Sequence, residues 1–129
     1  MIDHFGINVA DMRAASEFYD AVLGTLGHKR LMDFGQAIGY GTDQPSFWIS
    51  LQQPEGPSSG PNREMHLAFA AKDASSVRAF FEAATGLGAE VLHEPRLWPE
   101  YHDHYYGAFV RDPDGNNVEA VCHRASEGD

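Results

Sequence analysis

Apolar residues recur with a helical period over two stretches of the chain. In the first, Ala15, Phe18, Tyr19, Val22, Leu23 and Leu26 fall on one face; in the second, Val77, Phe80, Phe81 and Ala84 do so. Each stretch follows an aspartate, Asp11 or Asp73, suited to cap the first turn, and ends at a pair of glycines, Gly24 and Gly27 or Gly86 and Gly88. Ahead of each aspartate lies a short alternating segment that opens with histidine, His4 to Asp11 and His66 to Asp73. The chain is therefore an internal repeat. Alternation after the helices predicts strands near 28–34, 36–41 and 47–52, and again near 89–94, 105–111 and 117–122. A tight turn, Asp112-Pro-Asp-Gly-Asn116, joins the last two. Two tandem βαβββ modules follow, an α+β fold: module 1 about 1–53, a Pro/Gly/Ser-rich linker over 54–62, module 2 about 63–123 and a tail over 124–129.

Alternation also assigns faces. Phe5, Ile7 and Val9 should cover the first helix, which turns His4, Gly6 and Asn8 the other way. In the repeat Leu67 and Phe69 cover the helix and His66 points away. In the last strand Val118, Ala120 and Cys122 face the helix and Glu119 points away; in the matching strand of module 1, Trp48 and Ser50 do. His4, His66, Glu119 and Ser50 thus share the side opposite the helices. Two imidazoles and a carboxylate are ligands for a divalent cation such as Fe, Mn, Ni or Zn, and they leave coordination positions open. A lone His or Glu on a strand is ordinarily a half-exposed polar residue; three at repeat-related positions make a metal site the stronger reading.

Composition narrows the function. With 19 acidic and 9 basic residues the formal charge is −10, and no dense basic patch offers itself to nucleic acid. No run of apolar residues is long enough to span a membrane. The N-terminus lacks a secretion signal, and a single cysteine, Cys122, suits a reducing compartment, so a cytoplasmic location is expected.

The residues His4 with Asp11, His66 with Asp73, and the motif Phe109-Val-Arg-Asp-Pro-Asp-Gly-Asn-Asn-Val-Glu119 resemble the vicinal-oxygen-chelate superfamily, which includes glyoxalases, bleomycin-resistance proteins and extradiol dioxygenases. The resemblance covers nearly the whole chain. It implies paired modules around a cup-shaped mixed sheet with helices outside, a homodimer, and a small substrate chelating a divalent metal through two oxygens. His4, His66 and Glu119 would be the metal ligands. It further implies a Glu at position 50 for glyoxalase I; Ser50 stands there, which argues against that reaction and leaves dioxygenase-, lyase- or transferase-type chemistry. A drug- or small-molecule-binding protein without catalysis is the alternative.

Trp48, Ser50, Asn8 and Arg96 are the candidate substrate contacts. The segment Arg96-Leu-Trp-Pro-Glu-Tyr-His-Asp-His-Tyr-Tyr106 reads as a loop between strands. Within it His102, His104 and Tyr105 are candidates for proton transfer, set against an aromatic loop that merely packs. His28, His93 and His123 default to surface positions at strand ends.

Overall fold

The computed structural model describes residues 2–52 and 65–125. The expected linker and the end of the tail lie outside the described residues. In chain order the elements are β1 (Phe5–Val9), α1 (Met12–Gly24), β2 (Lys29–Asp33), β3 (Ala37–Gly41), β4 (Pro45–Leu51), β5 (His66–Ala70), α2 (Ala74–Gly86), β6 (Val91–Leu97), β7 (Tyr106–Arg111) and β8 (Asn117–Cys122). Two βαβββ modules are present, as the repeat predicts. The strands divide into two mixed four-stranded sheets, ordered β1-β4-β3-β2 and β5-β8-β7-β6. In each sheet the first and last strands of the module run parallel at one edge, and the remaining pairs are antiparallel.

Both helices begin where the sequence places them. The Asp11 carboxylate accepts the Ala14 N–H at 3.1 Å, and the Asp73 carboxylate accepts the Ser76 N–H at 2.8 Å. Such a cap contributes about 1 kcal/mol. Each helix lays its apolar stripe on its own sheet, and α1 and α2 pack against each other. Val9, Tyr19, Val22 and Ile49 of module 1 belong to the same buried cluster as Val77, Phe80, Val110 and Val118 of module 2. Phe47 meets Phe69 edge-on at 5.2 Å across the junction. The modules therefore share one core. Among the described residues the opposite faces of the sheets carry no helix; at the parallel edge His4 ahead of β1, Gly6 and Asn8 of β1, and His66, Ala68 and Ala70 of β5 are exposed. No described helix is long and apolar enough to cross a membrane.

The Asp-Pro-Asp-Gly turn has a structural task. Asp112, 4% exposed, accepts the Asn116 N–H at 2.8 Å, the Asn116 side-chain amide at 3.0 Å and the Asp114 N–H at 3.0 Å. It also accepts the Tyr19 hydroxyl, from the other module, at 2.7 Å. Asp114 adds a second tie by accepting the Ala10 N–H at 3.1 Å. Burial, followed by the Asp112 carboxylate, raises the Tyr19 phenol well above its ordinary range, so it stays a donor. Tyr19→Phe leaves a buried carboxylate short of one donor. We expect a loss of about 1.5–3 kcal/mol, read as a lower urea midpoint; an unchanged midpoint would remove this bond from the forces joining the modules.

Candidate functional site

The sheet of module 2 carries the better-formed half of the site. His66 opens β5 and Glu119 sits mid-way along β8, and register places Glu119 opposite Ala68, two residues beyond His66. The step of two keeps both side chains on the face away from α2. His66 Nε2 lies 2.8 Å from Glu119 Oε1. The Glu119 side chain is 0% exposed and that of His66 is 49% exposed. A wholly buried carboxylate must be satisfied by donors or a cation, and here the second donor is the Tyr105 hydroxyl, 2.5 Å from Oε2. Burial and the Glu119 carboxylate hold the Tyr105 phenol above its usual range. It is therefore a hydrogen-bond donor to Glu119 rather than a base. Gly107 makes the arrangement possible, because a β-carbon there would lie 2.9 Å from Glu119 Oε2 and 3.3 Å from the Tyr105 ring.

On the His66 side of this pair, His66, His93, Trp98, Tyr101, Phe109 and Arg111 line a concavity of about 360 Å³. His93, Phe109 and Glu119 form one cross-strand row. His93 packs edge-on against Trp98 at 5.0 Å and Phe109 at 5.4 Å. It is thus in the site rather than at a remote strand end. Arg111 occupies the row of Asn117 and His66 and donates to Gly115 O at 3.0 Å. The Asn117 side-chain oxygen, on the same concavity, is buried with no hydrogen-bond partner among the described residues.

The other half lies on the sheet of module 1. His4 precedes β1, with its side chain 62% exposed and its Nδ1 2.7 Å from the Asp3 carboxylate. That contact occupies Nδ1 and leaves Nε2 as the ring nitrogen for a metal, a carboxylate–histidine pairing that commonly supports metal ligands. His4, Gly6, Met32, Ser46 and Trp48 border a separate trough. Asn8 and Ser50 pair with each other one step further along.

Register corrects one equivalence. Gly6, two residues past His4, lies opposite Trp48, as Ala68, two residues past His66, lies opposite Glu119. Trp48, not Ser50, therefore stands where Glu119 stands in the repeat; the counterpart of Ser50 is Val121.

The remaining candidates divide. Tyr105 reaches Glu119. His102 does not: its Nε2 lies 2.9 Å from His123 Nδ1, and its Nδ1 accepts the His104 N–H at 3.2 Å. His104 Nδ1 lies 2.9 Å from Ala125 O, so that ring faces the C-terminal segment. Arg96 lies in β6, which runs on to Leu97, rather than in a loop. Its guanidinium covers the Trp98 ring at 3.4 Å and donates to Glu100 at 3.1 Å. Cys122, 1% exposed, is a core side chain.

Donor chemistry and burial fit a divalent cation at His66 and Glu119: an imidazole, a carboxylate held by a phenol, and an orphaned amide oxygen beside them. Among the described residues of one chain, however, no group of three His, Cys, Asp or Glu converges. His4 and the His66–Glu119 pair are displayed on different sheets.

The paired-module fold is that of a known group of proteins, and the chain belongs to the Glyoxalase/Bleomycin resistance protein/Dioxygenase superfamily, whose family model matches residues 1–120. It is 29% identical over 125 residues to the uncharacterized protein YqjT of Bacillus subtilis (strain 168), covering 92% of this chain and 96% of that protein. A glyoxalase/bleomycin resistance protein from Albidiferax ferrireducens T118 shares the fold with a TM-score of 0.81 at 30% identity, covering 93% of this chain and 97% of that one. The fold is also that of lactoylglutathione lyase from Agrobacterium tumefaciens, at a TM-score of 0.67 and 23% identity over 95% of this chain and 92% of the other.

Proposed function

We propose that the chain is a divalent-metal-dependent enzyme acting on a small molecule that chelates the metal through two oxygens, with each site shared between two copies. His66 and Glu119 come from one copy and His4 from the other, in a homodimer that brings the open sheet faces together. The superfamily generally uses a divalent metal. The observation that carries the reading is Glu119: a fully buried carboxylate on a sheet face, bracketed by His66 and Tyr105, with its Oε1 beside an imidazole nitrogen. Structural carboxylates are seldom buried in this way without an opposite charge.

When bound, the cation would act as a Lewis acid on the substrate oxygens it holds. The protein's own residues do the rest. Tyr105 fixes Glu119 Oε2, so that Glu119 with His66 would hold the cation. Arg111 lends positive charge to the concavity, and Phe109 and Trp98 exclude water from its wall, where electrostatic interactions strengthen. Trp48 in the position of a fourth ligand neither binds a metal nor accepts a proton, so reactions that need a second carboxylate, as expected for ordinary glyoxalase I, are not this protein's. We place it with the dioxygenase-, lyase- or transferase-type chemistries.

Protein purified without chelator is expected to hold about one transition metal ion per chain, lost in His66→Ala and Glu119→Ala variants that keep the wild-type circular dichroism spectrum. Absence of metal, with no uptake and no gain in melting temperature on titration with Zn, Mn, Ni or Fe(II), would overturn the reading.

A further inference from the structure

The row across the sheet of module 1 reads Gly6, Trp48, Gly39, Met32. It is the counterpart of the row that holds Glu119, yet its chemistry is different. An indole replaces the carboxylate, and glycines stand on both neighbouring strands. The Gly39 position is cut to the ring: a β-carbon there would lie 2.9 Å from both Cη2 and Cζ2 of Trp48. A side chain at Gly39 would lift the indole off the sheet. Phe34, in the turn between β2 and β3, sets its ring parallel to the indole, with 3° between planes and centroids 6.3 Å apart. Phe34 is 70% exposed and Met32 is 45% exposed. Trp48 and Met32 thus give the trough that they share with His4 an apolar wall, which the Phe34 ring extends by lying parallel to the indole.

A solvent-facing phenylalanine aligned to 3° with a half-buried tryptophan is poorly explained by core packing, since little of it is removed from water. It suits a flat partner. Aromatic faces prefer offset-parallel or edge-on neighbours, and methionine adapts its shape to the ligand it covers. We propose that Trp48 and Phe34 form the binding wall for a planar aromatic ring of the small molecule the site takes, with Gly39 a positioning residue that lets the indole lie flat. This rests on the metal-centre reading above, because the ring would be the far end of a molecule whose oxygens lie toward His4.

A matched pair of chelators separates the two ideas. Benzohydroxamate and acetohydroxamate offer a metal the same two oxygens and differ in the ring. Calorimetric titration of the Zn-loaded dimer is expected to show benzohydroxamate binding about tenfold tighter or more. The preference should fall to near parity in Phe34→Ala, an exposed substitution that leaves the core intact, and in Trp48→Leu. Equal binding of both probes to the wild-type protein would overturn the aromatic wall while sustaining the metal centre. So would a preference that survives in both variants. Binding of neither probe would bring down the metal-centre reading and this inference with it. Size-exclusion chromatography closes the remaining route: loss of the dimer in Phe34→Ala, with the preference intact, would make the ring pair a contact between copies and overturn the proposal.

Discussion

A heterodimer assembled from one His4→Ala chain and one Glu119→Ala chain is expected to bind one metal ion, whereas either variant homodimer binds none. The expectation follows from the separation of the donors. His66 and Glu119 touch on one sheet, His4 stands on the other, and the described residues of a single chain form no three-donor group. If each site takes His4 from one copy and His66 with Glu119 from the other, the mixed dimer contains one site with every ligand and one lacking two. In the homodimers each site lacks a ligand. Loss of a metal-coordinating group should weaken binding by more than about 100-fold, since even outer-sphere changes cost 10–100-fold. Distinct affinity tags allow the mixed dimer to be purified and its metal counted by mass spectrometry. Recovery of half the wild-type content supports shared sites. Content no higher than in the homodimers would mean that the ligands meet within one chain, or not at all.

Much of this site was legible in the sequence, for a definable reason. Alternation decides which face a strand residue occupies, and it places His66, Glu119 and Trp48 on the side away from the helices, with His4 just ahead of β1. Asp11 and Asp73 marked the helix starts because their carboxylates satisfy N–H groups that the first turn leaves without partners. Depth along a strand is another matter. Every second residue shares a face, and only the parallel pairing of β1 with β4 sets Gly6 against Trp48 and so places Ser50 one step too far to match Glu119. That register depends on the intervening helix and two strands, none of which is visible in a local pattern.

His93 escaped for a related reason. Val91 pairs with Val110 and His93 with Phe109, so two residues of β6 oppose one step of β7. The bulge shifts His93 to the open face, where strict alternation from Val91 would have set it beside the helix. The sequence offers Tyr105 as a candidate for proton transfer, but its link to Glu119 arises from its place just ahead of β7, the neighbour of β8. His102 and His104, of similar appearance in the sequence, instead face His123 and Ala125.

The second large effect is expected at Tyr105. Glu119 is wholly buried and its Oε2 is held by the Tyr105 hydroxyl alone among the described residues, so Tyr105→Phe removes a donor while keeping the ring. Two consequences follow, of opposite diagnostic value. Without metal, the unpaired carboxylate oxygen costs about 1–3 kcal/mol, seen as a lower urea midpoint at unchanged slope. With metal, a carboxylate no longer anchored at one oxygen should bind the cation roughly 10–100-fold more weakly in competition with a chelator. Gly107→Ala is a steric companion to this chemical change. Its β-carbon would meet Glu119 Oε2 at 2.9 Å and the phenol ring at 3.3 Å, so it should displace the same carboxylate with the hydroxyl still present. Agreement of the two variants, both losing metal affinity beyond their losses in apo stability, would establish that the position of Glu119 sets the affinity. Wild-type affinity in Tyr105→Phe would show instead that His66 and the buried sheet suffice to hold Glu119, and that the phenol serves the metal-free fold alone.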